Sequence, residues 1–312
     1  MEFIREHKDH REPGGLRWGV QPICAVLSEH GVPIAPATYY EWCDKPPTKA
    51  DRRDETLMGQ IARVYDSNFQ VYGARKVWLE LNRENIPVAR CTVERLMRPM
   101  GLKGVHRGKV KRTTKDDGSP LPADLVNRHF GPLAPNLLWV ADFTYVSTWS
   151  GWVYVAFVID AYARRILGWR TSTTMSATMV SDALDQAVWQ REREHHDDFT
   201  HLIAHSDHGS QYTSVRHGQH LADAGITPST GTVGDSYDNA LAETINGLYK
   251  TELVKRHGPW RDADHLEYAT AEWVDWYNYR RLYEYCGDRP PAELEAMYYA
   301  EHQTPQPVGS PN

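Results

Sequence analysis

The sequence predicts an α/β protein: a mixed sheet flanked by helices, with a helical domain ahead of it and a helical extension behind. Three observations carry this. Residues 138–171 hold three strand-like runs in succession. Residues 176–250 alternate helix-like and strand-like segments. Residues 51–100 and 270–299 read as helical.

In chain order, residues 1–45 read as irregular, with a turn-rich Glu12-Pro-Gly-Gly15 and a short helix near Pro22 to Glu29. Lys45-Pro-Pro47 punctuates. Residues 51–66 look helical. In Gly73 to Arg83, Val77 and Leu81 share one face at i, i+4. Asn85-Ile-Pro-Val88 makes a turn. A second helix, Cys91 to Met100, puts Val93, Leu96, Met97 and Met100 on one face and Arg90, Glu94 and Arg98 on another. Gly101 closes it. Two helices across a short turn, the second one basic, suggest a helix-turn-helix or a plain helical hairpin with solvated arginines.

Residues 116–136, rich in Asp, Gly and Pro, read as a linker. Leu138–Ser147, Trp152–Ile159 and Arg165–Thr171 then form a β-meander, with turns at Trp149-Ser-Gly151 and Tyr162-Ala-Arg164. A helix from Ser176 to Arg193 turns Met179, Ala183, Ala187 and Val188 inward. A buried strand (Leu202–His205), a helix (Val215–Ala224), a short strand (Ile226–Ser229) and a loop at 231–237 follow. A last helix covers residues 238–250. Three strands, then α-β-α-β-α, is the element order of the ribonuclease-H-like fold. The expected segments are 1–50 irregular or helical, 51–115 helix-turn-helix-like, 116–136 linker, 137–255 ribonuclease-H-like core and 256–312 helical extension.

The net charge of −6 looks wrong for a nucleic-acid protein, but its distribution does not. Residues 51–115 carry 15 Lys/Arg against 7 Asp/Glu, whereas residues 140–250 carry 7 against 13. The tail Lys103 to Lys115 has six Lys/Arg and no acid. A basic front part is the electrostatic footprint of DNA binding. Arg90, Arg95, Arg98, Lys103, Arg107, Lys109, Lys111 and Arg112 are the candidate DNA contacts.

Three acids stand out in the acidic centre. Asp142 sits inside the apolar strand Trp139 to Val146, Asp207 follows the buried Leu202-Ile-Ala run, and Glu243 lies on the last helix. A carboxylate embedded in an apolar strand needs a cation or hydrogen-bond donors. Spacing alone proves little: 35 residues separate Asp207 from Glu243, and also Asp44 from Glu80. Context separates the pairs, since Asp44 precedes Lys-Pro-Pro and Glu80 lies in a charged helix. Strand, strand end and helix can converge three carboxylates on two divalent metals, which suits phosphodiester chemistry. On the last helix Asn239, Glu243, Asn246 and Lys250 form a polar stripe opposite Leu241, Ile245 and Leu248. Asn239 and Lys250 are thus placed to hold DNA beside the metals.

Trp139-x-x-Asp142-x-Thr144-Tyr145, His205-Ser-Asp207-x-Gly209-Ser-Gln-Tyr212 and Asp238-Asn-Ala240-x-x-Glu243, with Lys250 and Glu252, resemble the retroviral-integrase-like transposases of bacterial insertion sequences. More narrowly, the chain resembles the second-frame product of the large two-frame family, of mycobacterial and actinobacterial type. Tyr72-Gly73 through Arg95-Leu96-Met97 to Gly101-Leu102 is similar to that family's helical DNA-binding region. Tyr277-Asn278-x-x-Arg281 and Pro291 are similar to its C-terminal signature. Tyr283 stands where family members commonly have His. The retroviral His-His-Cys-Cys zinc module is absent.

The resemblance implies a polynucleotidyl transferase with Asp142, Asp207 and Glu243 as catalytic residues and ligands of two Mg²⁺ ions, with Mn²⁺ as a substitute. It implies terminal inverted repeats and target DNA as partners, an upstream-frame product as fusion or partner, and a homo-oligomer on DNA. Two other classes stay open: a ribonuclease-H-like nuclease without joining activity, and a non-catalytic DNA-binding regulator from a decayed element.

The remaining composition excludes more than it assigns. Four scattered cysteines (Cys24, Cys43, Cys91, Cys286) form no Cys-x-x-Cys. His205 and His208 flank Asp207, but Mg²⁺ prefers oxygen ligands. His195 and His196 read as solvated. No apolar run approaches the roughly 18 residues of a membrane span, and the N-terminus is no signal peptide, so a cytoplasmic location is expected. The C-terminal aromatics between Trp273 and Tyr299, with Arg280, Arg281 and Arg289, read as packing against the core or as nucleic-acid contacts.

Overall fold

The computed structural model describes residues 1–106, 131–206, 215–230 and 240–302. The chain divides into two compact units, Met1–Gly59 and Gln60–Asn312. The first holds α1 (Glu2–His7), α2 (Val20–Glu29) and α3 (Pro36–Asp44), built on Ile4, Val20, Ile23, Cys24 and Tyr39. The stretch expected to be irregular is therefore largely helical. Its helices are short and none of the three has a capping side chain, so the sequence carried few start signals. α4 (Lys49–Ser67) spans the division between the units.

In the second unit α5 (Ala74–Arg83) and α6 (Arg90–Met97) form the expected helical pair. Val77, Leu81, Val93, Leu96 and Met97 are buried, and the two helices pack on each other. Asn85 (φ +61°) turns the chain between the helices. Gly101 (φ +67°) closes the second one as a left-handed C-terminal residue. Gly73 and Gly104 let two backbone segments touch: a Cβ on Gly104 would lie 2.6 Å from the Gly73 nitrogen.

The sheet is mixed, in the order β3-β2-β1-β4-β5. β1 (Leu138–Thr148), β2 (Gly151–Asp160) and β3 (Arg165–Ser172) form the antiparallel meander. β4 (Ile203–Ser206) pairs in parallel with β1 from Leu138 to Ala141, and β5 (Thr227–Thr230) pairs in parallel with β4. α7 (Ala177–Arg193), capped by Ser176 accepting from Met179 N, connects the meander to β4. α8 (Val215–Asp223) connects β4 to β5. This is the expected ribonuclease-H-like order.

α7 covers one sheet face through Met179, Val180, Ala183, Leu184 and Ala187, which pack on Trp139, Ala156, Val158 and Leu167. The helix and β3 come so close at Gly168 that a Cβ there would lie 2.0 Å from the Ala183 carbonyl oxygen. Gly168→Ala must push helix and strand apart. It is expected to cost about 3 kcal/mol, at the upper end of overpacking costs, read as a lowered denaturant midpoint with an unchanged slope.

The other face is covered by α9 (Ala240–Tyr249), a π-helical turn (Lys250–Val254), α10 (Lys255–His257) and α11 (Ala263–Tyr279). Tyr249 meets Phe157 and Trp273 edge-on, each at 5.2 Å between centroids, and its hydroxyl bonds Thr270 at 2.7 Å. Asn278 closes the backbone of edge strand β3, donating to Ile166 O (2.8 Å) and accepting from Ile166 N (2.9 Å).

α12 (Pro291–His302) is clasped by buried charges. Glu295 binds Arg191 and Arg165, Arg191 also binds Asp160 at 2.9 Å, and Arg165 binds Glu194 at 2.5 Å. Each buried charge thus has an opposite partner, which its burial requires. His196, read as solvated, stacks on Tyr299 of α12 at 3.6 Å. Among the described residues no helix is long and apolar enough to cross a membrane.

Candidate active site

β1 and α9 bring two of the three acids to one side of the sheet. Asp142 lies one residue past Ala141, which forms the last described β1–β4 pair with Ser206. It is half-buried. Its Oδ1 accepts from the Phe143 N–H at 2.8 Å, and its Oδ2 accepts from Asn246 Nδ2 at 2.9 Å. These are donors of the kind that a carboxylate in an apolar strand needs.

Asn246 is on α9, one helical turn after Glu243. Leu241, Ala242, Ile245 and Tyr249 bury the inner face of that helix, and this leaves Glu243 exposed. The polar stripe is therefore divided. Asn246 is 9% exposed and points at the strand, not at solvent. Sequence reading placed Asn246 in the stripe and missed this contact. The only available signal was its position at i+3 from Glu243.

Lys250 begins the π-helical turn, so the α-helical spacing stops at the residue expected to meet DNA. Wider turns of this kind recur at functional sites. The Lys250 ammonium lies 4.9 Å from the centroid of the Tyr145 ring. Burial and the nearby Lys255 lower its pKa, while Asp142 opposes them.

Two residues on, Glu252 is buried and bound twice by Arg281, at 2.9 and 2.5 Å. Arg281 is enclosed by Trp276, Tyr277 and Tyr283. Next to it the Leu282 N–H donates to the Tyr72 hydroxyl at 2.7 Å, and Trp276 Nε1 donates to Asn68 at 2.9 Å. The C-terminal arginines are thus occupied by acids: Arg280 by Asp275, Arg289 by Glu293 and Arg281 by Glu252. Trp273, Trp276 and Tyr277 are fully buried. Packing accounts for Trp273, Trp276, Tyr277 and Arg281, whereas Arg280, Tyr279 and Tyr285 are exposed and Arg289 is half-buried.

Asp207, His208 and Asn239 lie outside the described residues, as do Arg107, Lys109, Lys111 and Arg112. His205 is buried on β4 and hydrogen-bonded to Ser229 at 3.0 Å. Among the described residues no three His, Cys, Asp or Glu side chains form a metal-binding group. Arg90, Arg95, Arg98 and Lys103 are exposed on or just after α6, and Arg90 pairs with Glu94 at 2.8 Å.

Known proteins share this organisation. A family model described as an HTH-like domain matches residues 52–110. Two models described as integrase core domains match residues 132–236 and 224–291. A Mycobacterium tuberculosis transposase of insertion element IS986/IS6110 is 62% identical over 275 residues, covering 88% of this chain and 99% of the relative. The IS629 transposase of Shigella sonnei is 51% identical over 290 residues, covering 91% and 94%. Among solved structures, a chain of the simian T-cell lymphotropic virus intasome in complex with PP2A regulatory subunit B56 gamma aligns with a TM-score of 0.46. It is 14% identical and covers 81% of this chain and 79% of that one. The BIV integrase catalytic core aligns at 0.41, is 19% identical, and covers 54% and 99%. Sheet order, helical pair and long, close sequence matches agree: the chain belongs to the insertion-sequence transposases that carry an integrase core domain.

Proposed function

We propose that Asp142, Asp207 and Glu243 hold two divalent ions, Mg²⁺ or Mn²⁺, and that this transposase uses them to nick the ends of its element and join the freed 3′-hydroxyl to target DNA. The observation that supports this is the Asn246–Asp142 hydrogen bond. It ties the strand acid to the helix that carries Glu243. The donor set fits the ions, because Asp142 and Glu243 offer hard carboxylate oxygens.

Bound ions would stabilise both the attacking and the leaving oxygen of an in-line displacement. The chain's own residues do the rest. The Phe143 N–H and Asn246 fix the Asp142 carboxylate in one orientation. Lys250, beyond Asn246 on the same helix run, holds a DNA phosphate next to the reacting one. Asn239 contacts the same strand. A freed 3′-hydroxyl takes the place of water in the second step, so no covalent protein–DNA bond is formed.

The test is a strand-transfer assay on a terminal-repeat substrate. Mg²⁺ or Mn²⁺ should yield cut and joined products, and Ca²⁺ should support binding without chemistry, since it prefers a looser and larger coordination shell. Cut products without joined ones would favour a simple nuclease. Full activity in excess chelator would end the metal reading.

We further propose that α6 and the basic tail after it read the terminal repeats. Arg95 and Arg98 are exposed on that helix and its C-terminal end. Changing both to Ala should weaken binding and flatten its salt dependence by about one unit of slope for each phosphate left without its cation. A gel-shift titration across salt concentrations measures this, and an unchanged slope points to a plain helical hairpin. The upstream-frame product and further copies of this chain are the proposed protein partners.

A further inference from the structure

The β1–β2 hairpin ends in an exposed aromatic cluster that neither the fold nor the proposed chemistry uses. Tyr145 pairs with Tyr154 and Ser147 with Trp152 in the antiparallel register, so Tyr145 and Trp152 share one sheet face. Their rings meet edge-on at 5.3 Å. Among the described residues α7 covers that face farther down, on Trp139, Ala156 and Val158, and leaves Tyr145 and Trp152 exposed. Tyr145 and Trp152 are each 55% exposed, and Trp149 in the turn is 74% exposed. Scattered single aromatics need no account, but a contacting exposed pair with a third exposed ring in the adjoining turn does.

One cation lies on the cluster, and two more are near it in the chain. Lys250 lies over Tyr145. The Trp149 N–H donates to Trp260 O at 2.9 Å and the Ser150 N–H to Arg261 O at 3.1 Å, which sets exposed Arg261 beside the turn. Lys255 is exposed and near enough to Lys250 to lower its pKa. None of these three cations forms an ion pair among the described residues, and residues 143–154 contain no acid. This is a cationic, aromatic spot within a stretch that is otherwise acidic. Exposed rings interleaved with cations are the physical design of a single-strand binder: the rings stack on any base, and the cations follow the phosphates.

We infer that the hairpin end is a stacking platform for unpaired bases of the DNA strand flanking the reacting phosphate. Tyr145 stands three residues beyond Asp142, about 10 Å along the strand, with its side chain on the opposite sheet face. The link to the site is Lys250, whose ammonium, on the helix run that holds Asp142, lies over the Tyr145 ring. The inference rests on the site proposed above for its location, and it adds a base-binding element to that site.

The experiment uses the full chain in Ca²⁺, so that binding is read without chemistry. The probes are a terminal-repeat duplex with a short single-stranded flank carrying 2-aminopurine, and the same duplex with blunt ends. The wild-type chain should quench the flank fluorescence and bind the flanked probe more tightly. Trp149→Ala with Trp152→Ala should abolish the quench and lower flanked-probe affinity by about tenfold or more. Blunt-probe affinity should not change, and the two Phe replacements should behave as wild type. Quenching that persists in the double Ala variant overturns the platform. So does an equal loss on both probes, or a shift in oligomeric state with quenching intact, which would mark a contact between copies. Failure of the metal reading is separate: it appears as cleavage by the Asp142→Asn chain, whatever the flank does.

Discussion

Asn in place of Asp142 is expected to abolish strand cleavage and to leave terminal-repeat affinity within a few-fold of wild type. Asp207→Asn and Glu243→Gln should do the same. Each change removes one negative charge from the acidic centre with little change of volume. Changes that only disturb the surroundings of a metal ligand cost about 10- to 100-fold, so loss of a ligand should leave activity below about one hundredth. The local cost in stability at position 142 is small. An Asn carboxamide has one oxygen for the two donors, Phe143 N and Asn246 Nδ2, that now each hold an Asp oxygen. One hydrogen bond disappears, a cost of about 1 kcal/mol. Cleavage and gel-shift assays on the same purified variants test this, and cleavage at more than a few per cent of wild type in any of the three would sink the triad.

Much of the fold was legible because it rests on local signals. The meander shows as β-branched and aromatic runs broken by Gly151 and the 162–164 turn, and β1, β2 and β3 end within about one residue of where the sequence put them. The helix-turn-helix pair shows through its buried periodicity, Val77 and Leu81 against Val93, Leu96 and Met97. The acids were legible as types in context, an Asp inside an apolar strand and a Glu at the head of an amphipathic helix.

What was not legible depends on contacts far apart in sequence. Asn246 and Asp142 are 104 residues apart. Helical spacing alone put Asn246 on the polar side, and only the approach of β1 turns that side inward. The π-helical turn at Lys250 has no local signature either. Within it Glu252 binds an arginine 29 residues on. The charged neighbours of His196 suggest solvent, and its partner Tyr299 is too distant in sequence to signal otherwise.

Arg281→Met is expected to destabilise the protein by about 3–5 kcal/mol, the usual cost of removing one partner of a buried ion pair. Arg281 is 3% exposed and Glu252 7%, so without the guanidinium Glu252 must stay charged with no partner or take up a proton. Replacing both, Arg281→Met with Glu252→Leu, should recover most of that stability, since well-packed apolar pairs often match buried ion pairs. Urea unfolding of the two single variants and the double gives the coupling directly, and a single-variant effect below about 1 kcal/mol would show that the pair is solvated. The location of this pair gives it meaning for the site. Glu252 lies inside the turn that begins at Lys250, and Arg281 is held among Trp276, Tyr277 and Tyr283. The next residue, Leu282, is bonded to Tyr72, just ahead of α5. A chain of contacts therefore runs from the helix-turn-helix-like domain through Arg281 to the turn that begins at Lys250. If it positions that lysine, the double variant should regain stability yet transfer strands more slowly than wild type at equal DNA affinity. Full recovery of both would make the pair a matter of packing alone.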